Sequence, residues 1–425
     1  MPDPSTLPLR DAARAFFDAA VAAADPGAAV TRALRDTPLT PPAGRTILIA
    51  IGKAAPAMMS AALAMTAGAT EALVVTHHDN TAPCPGARIL RAGHPVPDAA
   101  GLAAGRAVLD LLAGAGADDR VLALISGGGS ALVPAPVDGV SLDDKIALNR
   151  ALLSSGLDIV AMNAIRQQVS RLKGGGLVQA AAPAPVTALI LSDVIGDDLR
   201  AIASGPTVSP LSDRAGAARA LRDAGLWDSL PAAIRNHLSA DIPPAAPITA
   251  DNRLVGSNRQ SLEAAADSAR AAGFDTRIVS DRLTGDVTDA AAAIHRALLD
   301  LPADAPPTAL LWGGETTVRL TGTGRGGRNQ ELALRMAERA AQAGSSRDWT
   351  LLSGGTDGRD GPTDAAGGFA DAGTWARIGR AGLDADGLLA DNDSNAALSA
   401  ARDLLITGAT GTNVADIQIL LSRAA

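Results

Sequence analysis

The feature that most constrains this chain is its alternation of short, apolar, β-branched runs with alanine-rich runs of helical period, each pair joined by a glycine-bearing turn. The strand-like runs are Thr46–Gly52, Ala72–Thr76, Arg88–Ala92, Val121–Ser126, Thr187–Ser192 and Arg253–Gly256. They continue with Thr276–Ser280, Ala309–Gly313, Thr316–Thr321, Thr350–Ser353 and Asp416–Leu421. Strands that alternate with helices build βαβ units, and such units give parallel sheets buried on both faces. An amphipathic helical run, roughly Leu9 to Leu34, precedes the first strand. The Pro/Ala-rich stretch Ser239–Ala250 reads as a linker, and Leu301–Pro307 as a loop. The expected division is an N-terminal α/β domain over 1–245 and a C-terminal α/β domain over 246–425; a crossover of the chain between them is compatible with the pattern.

Composition narrows the function. With 425 residues, 47% hydrophobic and 19% charged, the chain can bury large cores. A net charge of −8 and 2% aromatic residues argue against a nucleic-acid surface and against base-stacking platforms. No run approaches the roughly 20 apolar residues of a membrane span. A single cysteine, Cys84, forms no internal disulfide. With no signal-like N-terminus, these features predict a cytoplasmic protein, and self-association into a homo-oligomer is compatible with them. Of 37 basic residues only Lys53, Lys145 and Lys173 are lysine, the rest arginine. A lysine in such a background suggests a compact point charge. Lys53 and Lys173 adjoin glycine, whereas Lys145 reads as chance placement on the surface.

Ligands of open parallel sheets bind outside the carboxyl ends of the strands. The residues just after each strand are therefore informative. One run ends in Gly52-Lys53-Ala54, a second in Ser126-Gly127-Gly128-Gly129-Ser130, a third in Ser192-Asp193-Val194-Ile195-Gly196-Asp197-Asp198, and a fourth in Ser353-Gly354-Gly355-Thr356-Asp357-Gly358. Backbone N–H groups of Gly127–Ser130 can cradle a carboxylate or a phosphate, although a tight turn alone accounts for the glycines equally well. Asn163–Gly176 reads as a helix closed by glycines, with Asn163, Arg166, Ser170 and Lys173 on one stripe. Asp193 is a candidate magnesium ligand or hydroxyl acceptor, and phosphate oxygens with water complete such a site around few protein carboxylates. Asp197 and Asp198 read more simply as turn caps, and Asp357 and Asp360 face the same choice. His77, His78, His94 and Cys84 match no zinc spacing.

The segment Gly313–Glu331 carries Glu315, then Gly322, Gly324 and Gly327 with Arg325 and Arg328, then Asn329 opening a helical run. That order predicts N–H groups and guanidinium charge around an anion at a helix N-terminus. The glycines also spell G-x-G-x-x-G, so an NAD(P)-dependent hydroxypyruvate or 2-hydroxyacid reductase is the alternative reading. Against it, no acidic residue ends a strand about 20 residues later to hold a ribose. A non-catalytic acid-binding module is a third reading, disfavoured by the interleaved acidic glycine loops. No Walker-A loop, serine-hydrolase elbow or protein-kinase signature is present.

Taken together, these motifs resemble the MOFRL-containing two-domain glycerate 2-kinases. The resemblance spans nearly the whole chain. It rests on Ile51-Gly52-Lys53-Ala54, Ala92-Gly93-His94-Pro95-Val96-Pro97-Asp98, Ser126–Ala131, Asn163-Ala164-Ile165-Arg166, Leu172-Lys173-Gly174-Gly175 and Ser192–Asp197. In the C-terminal half it adds Gly313–Thr316, Gly326–Glu331, Thr356-Asp357-Gly358 and Thr410–Val414. It implies a Rossmann-like N-terminal sheet, a MOFRL-type C-terminal α/β domain and an active site in the cleft between them. It also implies ATP- and Mg2+-dependent phosphorylation of D-glycerate at its 2-hydroxyl. Lys53 and Arg328 are the implied catalytic pair, with Asp193 orienting the hydroxyl or holding metal. Ser126, Gly127, Gly128, Gly129, Ser130, Arg166, Lys173, Glu315, Arg325, Asn329 and Asp357 are the expected substrate- or nucleotide-binding residues.

Overall fold

A computed structural model describes residues 8–68, 70–241 and 248–425. It divides into two packed units, one made of residues 26–255 and the other of residues 8–25 with 256–425. The division differs from the expected 1–245 and 246–425 in two ways: the first helix belongs to the C-terminal unit, and the second boundary falls at 255/256 because the strand at 251–256 joins the N-terminal sheet. The long amphipathic run breaks at Asp25-Pro26 into helices Leu9–Ala23 and Pro26–Asp36, since proline starts a helix readily but is excluded from a helix interior. Phe16 and Phe17 of the first helix are buried with Leu262, Leu352 and Ile419 of the C-terminal unit. Of the expected linker, residues 242–247 lie outside the described residues.

The unit 26–255 holds a six-stranded sheet of β1 (Thr46–Ile51), β2 (Thr70–His77), β3 (Arg88–Ala92), β4 (Arg120–Ile125), β5 (Val186–Leu191) and β6 (Asp251–Gly256), in the order β3-β2-β1-β4-β5-β6. The pairs β2–β3, β1–β2, β1–β4 and β4–β5 are all parallel. Every residue of β1 and of β5 is buried, as a parallel sheet covered on both faces requires. The strand order reverses direction at β1 and β4, the doubly wound arrangement that opens a crevice at their carboxyl ends. A separate helical cluster, including Leu142–Leu153, Ile159–Gln168, Arg214–Asp223 and Ala232–Ser239, packs around Leu148, Leu152, Ile165 and Leu221.

The other unit contains β7 (Asp275–Asp286), β8 (Thr308–Thr317), β9 (Arg347–Gly355), β10 (Gly367–Asp371), β11 (Leu404–Leu405) and β12 (Asp416–Ala424), ordered β11-β10-β9-β12-β8-β7. This sheet is mixed. Only β7–β8 is parallel, while β8–β12, β12–β9, β9–β10 and β10–β11 are antiparallel. A sheet covered on both faces gives the same apolar runs whichever way its strands point, so the pattern that predicts parallel strands does not distinguish them. The expected strands Ala309–Gly313 and Thr316–Thr321 are one strand, β8, ending at Thr317. Among the described residues no helix is long and apolar enough to cross a membrane.

Candidate active site

The doubly wound sheet delivers two of the predicted turns to one place. Gly52-Lys53-Ala54 leaves β1 and Ser126–Ser130 leaves β4, its neighbour. They are stitched together: the Lys53 N–H donates to the Gly127 carbonyl at 2.9 Å, and the Ala54 N–H to Ser126 Oγ at 3.2 Å. Gly52 has φ +134°, and a β-carbon there would lie 2.1 Å from Ser126 Oγ and 2.5 Å from its carbonyl oxygen. Only glycine allows this close approach. Lys53 itself is exposed. Its Cγ and the His94 ring each lie 3.2 Å from where a Gly128 β-carbon would stand, so both side chains close over that glycine. Burial, then the charge of Lys53, pushes the His94 imidazole below its usual range. His77 is lowered by burial, against the opposing pull of Asp79, with Lys53 and His78 adding to the shift. Both rings are held toward the neutral form, leaving Lys53 as the local cation.

Asp193 follows β5 and lies against the same turn. A β-carbon on Gly127 would be 2.0 Å from its Oδ2. The turn that holds Lys53 on one side therefore holds a carboxylate on the other. Asp198 instead pairs with Arg200 (2.8 Å), as a turn cap would. Asp197 has φ +55° and a buried Oδ1 without a hydrogen-bond partner. Among the described residues no group of three His, Cys, Asp or Glu side chains is placed to bind a metal.

Ser130, at the end of the turn, accepts a 2.6 Å hydrogen bond from Lys173 Nζ and lies 2.9 Å from Ser204 Oγ. The expected helical stripe is only partly helical. The helix ends at Gln168, and Lys173 reaches Ser130 from a turn in which Gly174 and Gly175 adopt positive φ. Asn163 is buried on that helix. Lys145, expected on the surface, is only 5% exposed, and Lys173 7%. Arg166 donates to Asn149 Oδ1 at 3.0 Å. Burial, then Arg166, lowers Lys145 to about 8, and burial with both neighbours carries Lys173 well below its ordinary value. Ser130, Arg166 and Lys173 border a cavity of about 340 Å3 that also meets His94 and Gly128, while Lys145 does not reach the cavity wall but acts on Lys173 from within the fold. The scarcity of lysine is the signal that could have found Lys145: all three lysines gather at this site.

In the C-terminal unit the glycine–arginine turn is built differently from the expected phosphate cradle. The N–H groups of Thr321 and Gly322 donate to Asn392 Oδ1, that of Thr323 to Asp391 Oδ1 and that of Arg325 to Asp393 Oδ1. The helix Arg328–Ala343 is capped by Asp360, which accepts from the N–H groups of Asn329 (3.1 Å) and Gln330 (2.8 Å). The chain's own carboxylates and the Asn392 amide oxygen thus occupy the positions an anion would take. Asn329, expected to bind ligand, is buried, with Oδ1 accepting from Ser353 Oγ at 2.6 Å, so its side chain is engaged within the fold. Arg325 is exposed and donates to the Pro362 carbonyl.

Arg328 sits between two carboxylates. Its Nε and Nη2 grip Asp416 at 2.5 and 3.0 Å, and its Nη1 meets the exposed Glu315 at 3.0 Å. Burial opposes the Arg328 charge, but Asp416 and Glu315 outweigh it and hold the guanidinium above its ordinary value. Burial raises the fully buried Asp416 to about 6 against the pull of Arg328. The fork of this implied catalytic arginine is thereby committed to Asp416, and the Glu315 side remains open to exchange. Sequence reasoning missed Asp416 because it opens an apolar strand and nothing in the local sequence shows that it is buried against Arg328. Asp357 keeps a half-buried carboxylate in its glycine loop, with Oδ1 accepting from the Arg359 N–H.

The chain matches known proteins over most of its length. Residues 12–239 match the model of a domain of unknown function, DUF4147, and residues 308–416 match the MOFRL family. A glycerate kinase of Homo sapiens is 36% identical over 99% of this chain and 94% of its own, and a glycerate 2-kinase of Pyrococcus horikoshii is 36% identical over 89% and 87%. A protein of Agrobacterium vitis, provisionally named hydroxypyruvate reductase, is 40% identical over 97% and 94%. The crystal structure of a glycerate kinase from Thermotoga maritima superposes with a TM-score of 0.90 at 37% identity, covering 97% of this chain and 99% of that one.

Proposed function

The chain belongs to the glycerate kinase family that joins a DUF4147 domain to a MOFRL domain, and from that footing we propose that it transfers the γ-phosphoryl group of ATP to the 2-hydroxyl of D-glycerate, giving 2-phosphoglycerate and ADP. The observation that carries this reading is the junction of Gly52-Lys53-Ala54 with Ser126–Ser130 at the strand-order reversal, with Asp193 against Gly127. It sets a cation, a glycine-rich turn and a carboxylate at the place where doubly wound sheets bind ligands.

Phosphoryl transfer depends on positioning and charge neutralisation more than on covalent help. Lys53, whose neighbouring imidazoles are held toward neutrality, offsets the charge of the moving phosphoryl group. Asp193 orients the 2-hydroxyl and accepts its proton as the oxygen bonds to phosphorus and the bond to the β-phosphate oxygen breaks. Ser126–Ser130, Arg166 and Lys173 hold substrate anions. Arg328 serves the same transfer through the edge now on Glu315, with Arg325 and Asp357 as supporting charges. Mg2+ fits a site with one carboxylate, because ATP oxygens and water fill the remaining positions. Asp193 would hold it, and the ion supplies charge neutralisation on the phosphates. The same proposal puts the enzyme in the cytoplasm.

A reductase has less support. The N–H groups of residues 321–325 are spent on Asp391, Asn392 and Asp393, and the first βα turn carries Gly52-Lys53 where a dinucleotide fingerprint has three glycines. Purified protein with ATP and Mg2+ should form ADP only when D-glycerate is added. Oxidation of NADH by hydroxypyruvate without that activity would favour the reductase.

A further inference from the structure

We infer that Arg166, Lys173 and Ser130, backed by the buried charge of Lys145, form a built seat for the carboxylate of the acid substrate, in the cavity beside Gly128. The inference rests on the kinase reading and adds which part of which substrate the cluster takes. Lys145 and Lys173 are both more than nine-tenths buried, Lys173 Nζ already reaches Ser130 at 2.6 Å, and Arg166 lines the cavity with it. Among the described residues none of the three cations has a carboxylate within ion-pair distance, and no acidic side chain lines the cavity. Its other charged or titratable neighbours are His94 and Arg150. Burying unpaired ammonium groups is costly, and a fold retains them where a partner completes the site.

The anion is a carboxylate rather than the nucleotide's phosphates for a geometric reason. The 2-hydroxyl of glycerate is one carbon from its carboxylate. A carboxylate held at Ser130 leaves that hydroxyl beside the same turn, where Gly127 packs on Asp193 and Gly128 under Lys53. Without ligand, burial and mutual repulsion drive protons off Lys173 and, near pH 8, off Lys145. A carboxylate among them restores the charged form, so binding is accompanied by proton uptake.

The test uses full-length Lys145→Met and Lys173→Met proteins. The seat predicts that KM for D-glycerate rises on the order of 30-fold or more while KM for ATP stays within about twofold. It also predicts that the unliganded variants melt no lower than wild type, because the cost of burying each lysine, whether as a charge or as a lost proton, has been removed. Titration calorimetry with D-glycerate at pH 8 in two buffers of different ionisation enthalpy should show proton uptake in wild type and less in each variant. A rise in ATP KM alone would reassign the cluster to the nucleotide. Unchanged glycerate KM with lowered melting would make the lysines structural. If wild type lacks kinase activity, calorimetry still decides: lysine-dependent binding of D-glycerate upholds the seat, whereas binding of inorganic phosphate alone, or of neither, overturns it.

Discussion

Replacing Gly127 by alanine tests how the turn and Asp193 work together. Gly127 lies outside the left-handed region, so alanine imposes no backbone strain. Its β-carbon would however stand 2.0 Å from Asp193 Oδ2 and 2.6 Å from Cγ. Ordinary contact begins near 3.5 Å, so the carboxylate must retreat by roughly 1.5 Å. A displacement of about 1 Å at a reacting group can cost on the order of a hundredfold in rate, and overpacking of this kind costs about 1–3 kcal/mol in stability. Gly127→Ala should therefore lose about a hundredfold in kcat with a measurable fall in urea midpoint. In an Asp193→Ala background only the 3.3 Å contact with Cβ remains, so the same substitution should cost less than about 0.5 kcal/mol and leave the residual activity unchanged. Assays of kcat and urea unfolding on the four proteins close the cycle. Near-wild-type turnover of Gly127→Ala, or equal destabilisation in both backgrounds, would refute the reasoning.

The same geometry predicts three further outcomes. Lys53→Ala should lower kcat on the order of a hundredfold or more with the melting temperature unchanged, because the side chain is exposed. By removing a charge that lowers them, it should also raise the His94 and His77 pKa values in an NMR titration; unmoved imidazoles would separate Lys53 from them. Arg328→Ala should lose activity and also cost about 3 kcal/mol, since it strands the buried Asp416. An acid whose folded pKa is raised stabilises the fold as pH falls through that value, and without the guanidinium that pulls it down the Asp416 carboxyl lies above its wild-type value of about 6, so this variant should regain stability as pH falls from above 6; a flat stability profile would contradict the pairing. Asp360→Ala removes the cap of helix Arg328–Ala343 and should cost about 1–2 kcal/mol, read from the urea midpoint; no change would mean the cap is not needed.

In the N-terminal sheet β1, β4 and β5 were legible because each is a largely apolar run that leads into a glycine-bearing turn; Arg88–Ala92 has the expected bounds, β1 ends one residue early, and β4 and β5 each begin and end one residue earlier than expected. The place of Lys53, Ser126–Ser130 and Asp193 could be read from strand ends alone. The C-terminal sheet was less legible. β10 opens with Gly367-Gly368, a poor strand signal, yet a Gly367 β-carbon would lie 2.0 Å from the Ser353 carbonyl oxygen of the neighbouring strand, so packing demands the glycine. The turn at 322–327 looked like a phosphate cradle because local sequence cannot reveal that Asp391, Asn392, Asp393 and Asp360, all distant in the chain, supply the acceptors. Burial of Lys145 was equally hidden. Its helix is capped by Ser141 and Asp144 and looks surface-like, and only long-range packing puts the lysine beside Lys173.

The central claim is regiospecific phosphoryl transfer to glycerate, and the most direct measurement is the product. Purified protein incubated with ATP, Mg2+ and D-glycerate should give 2-phosphoglycerate as the phosphorylated acid seen by 31P and 13C NMR. Formation of 3-phosphoglycerate alone would contradict the hydroxyl assigned, and no phosphorylated acid would contradict the kinase itself.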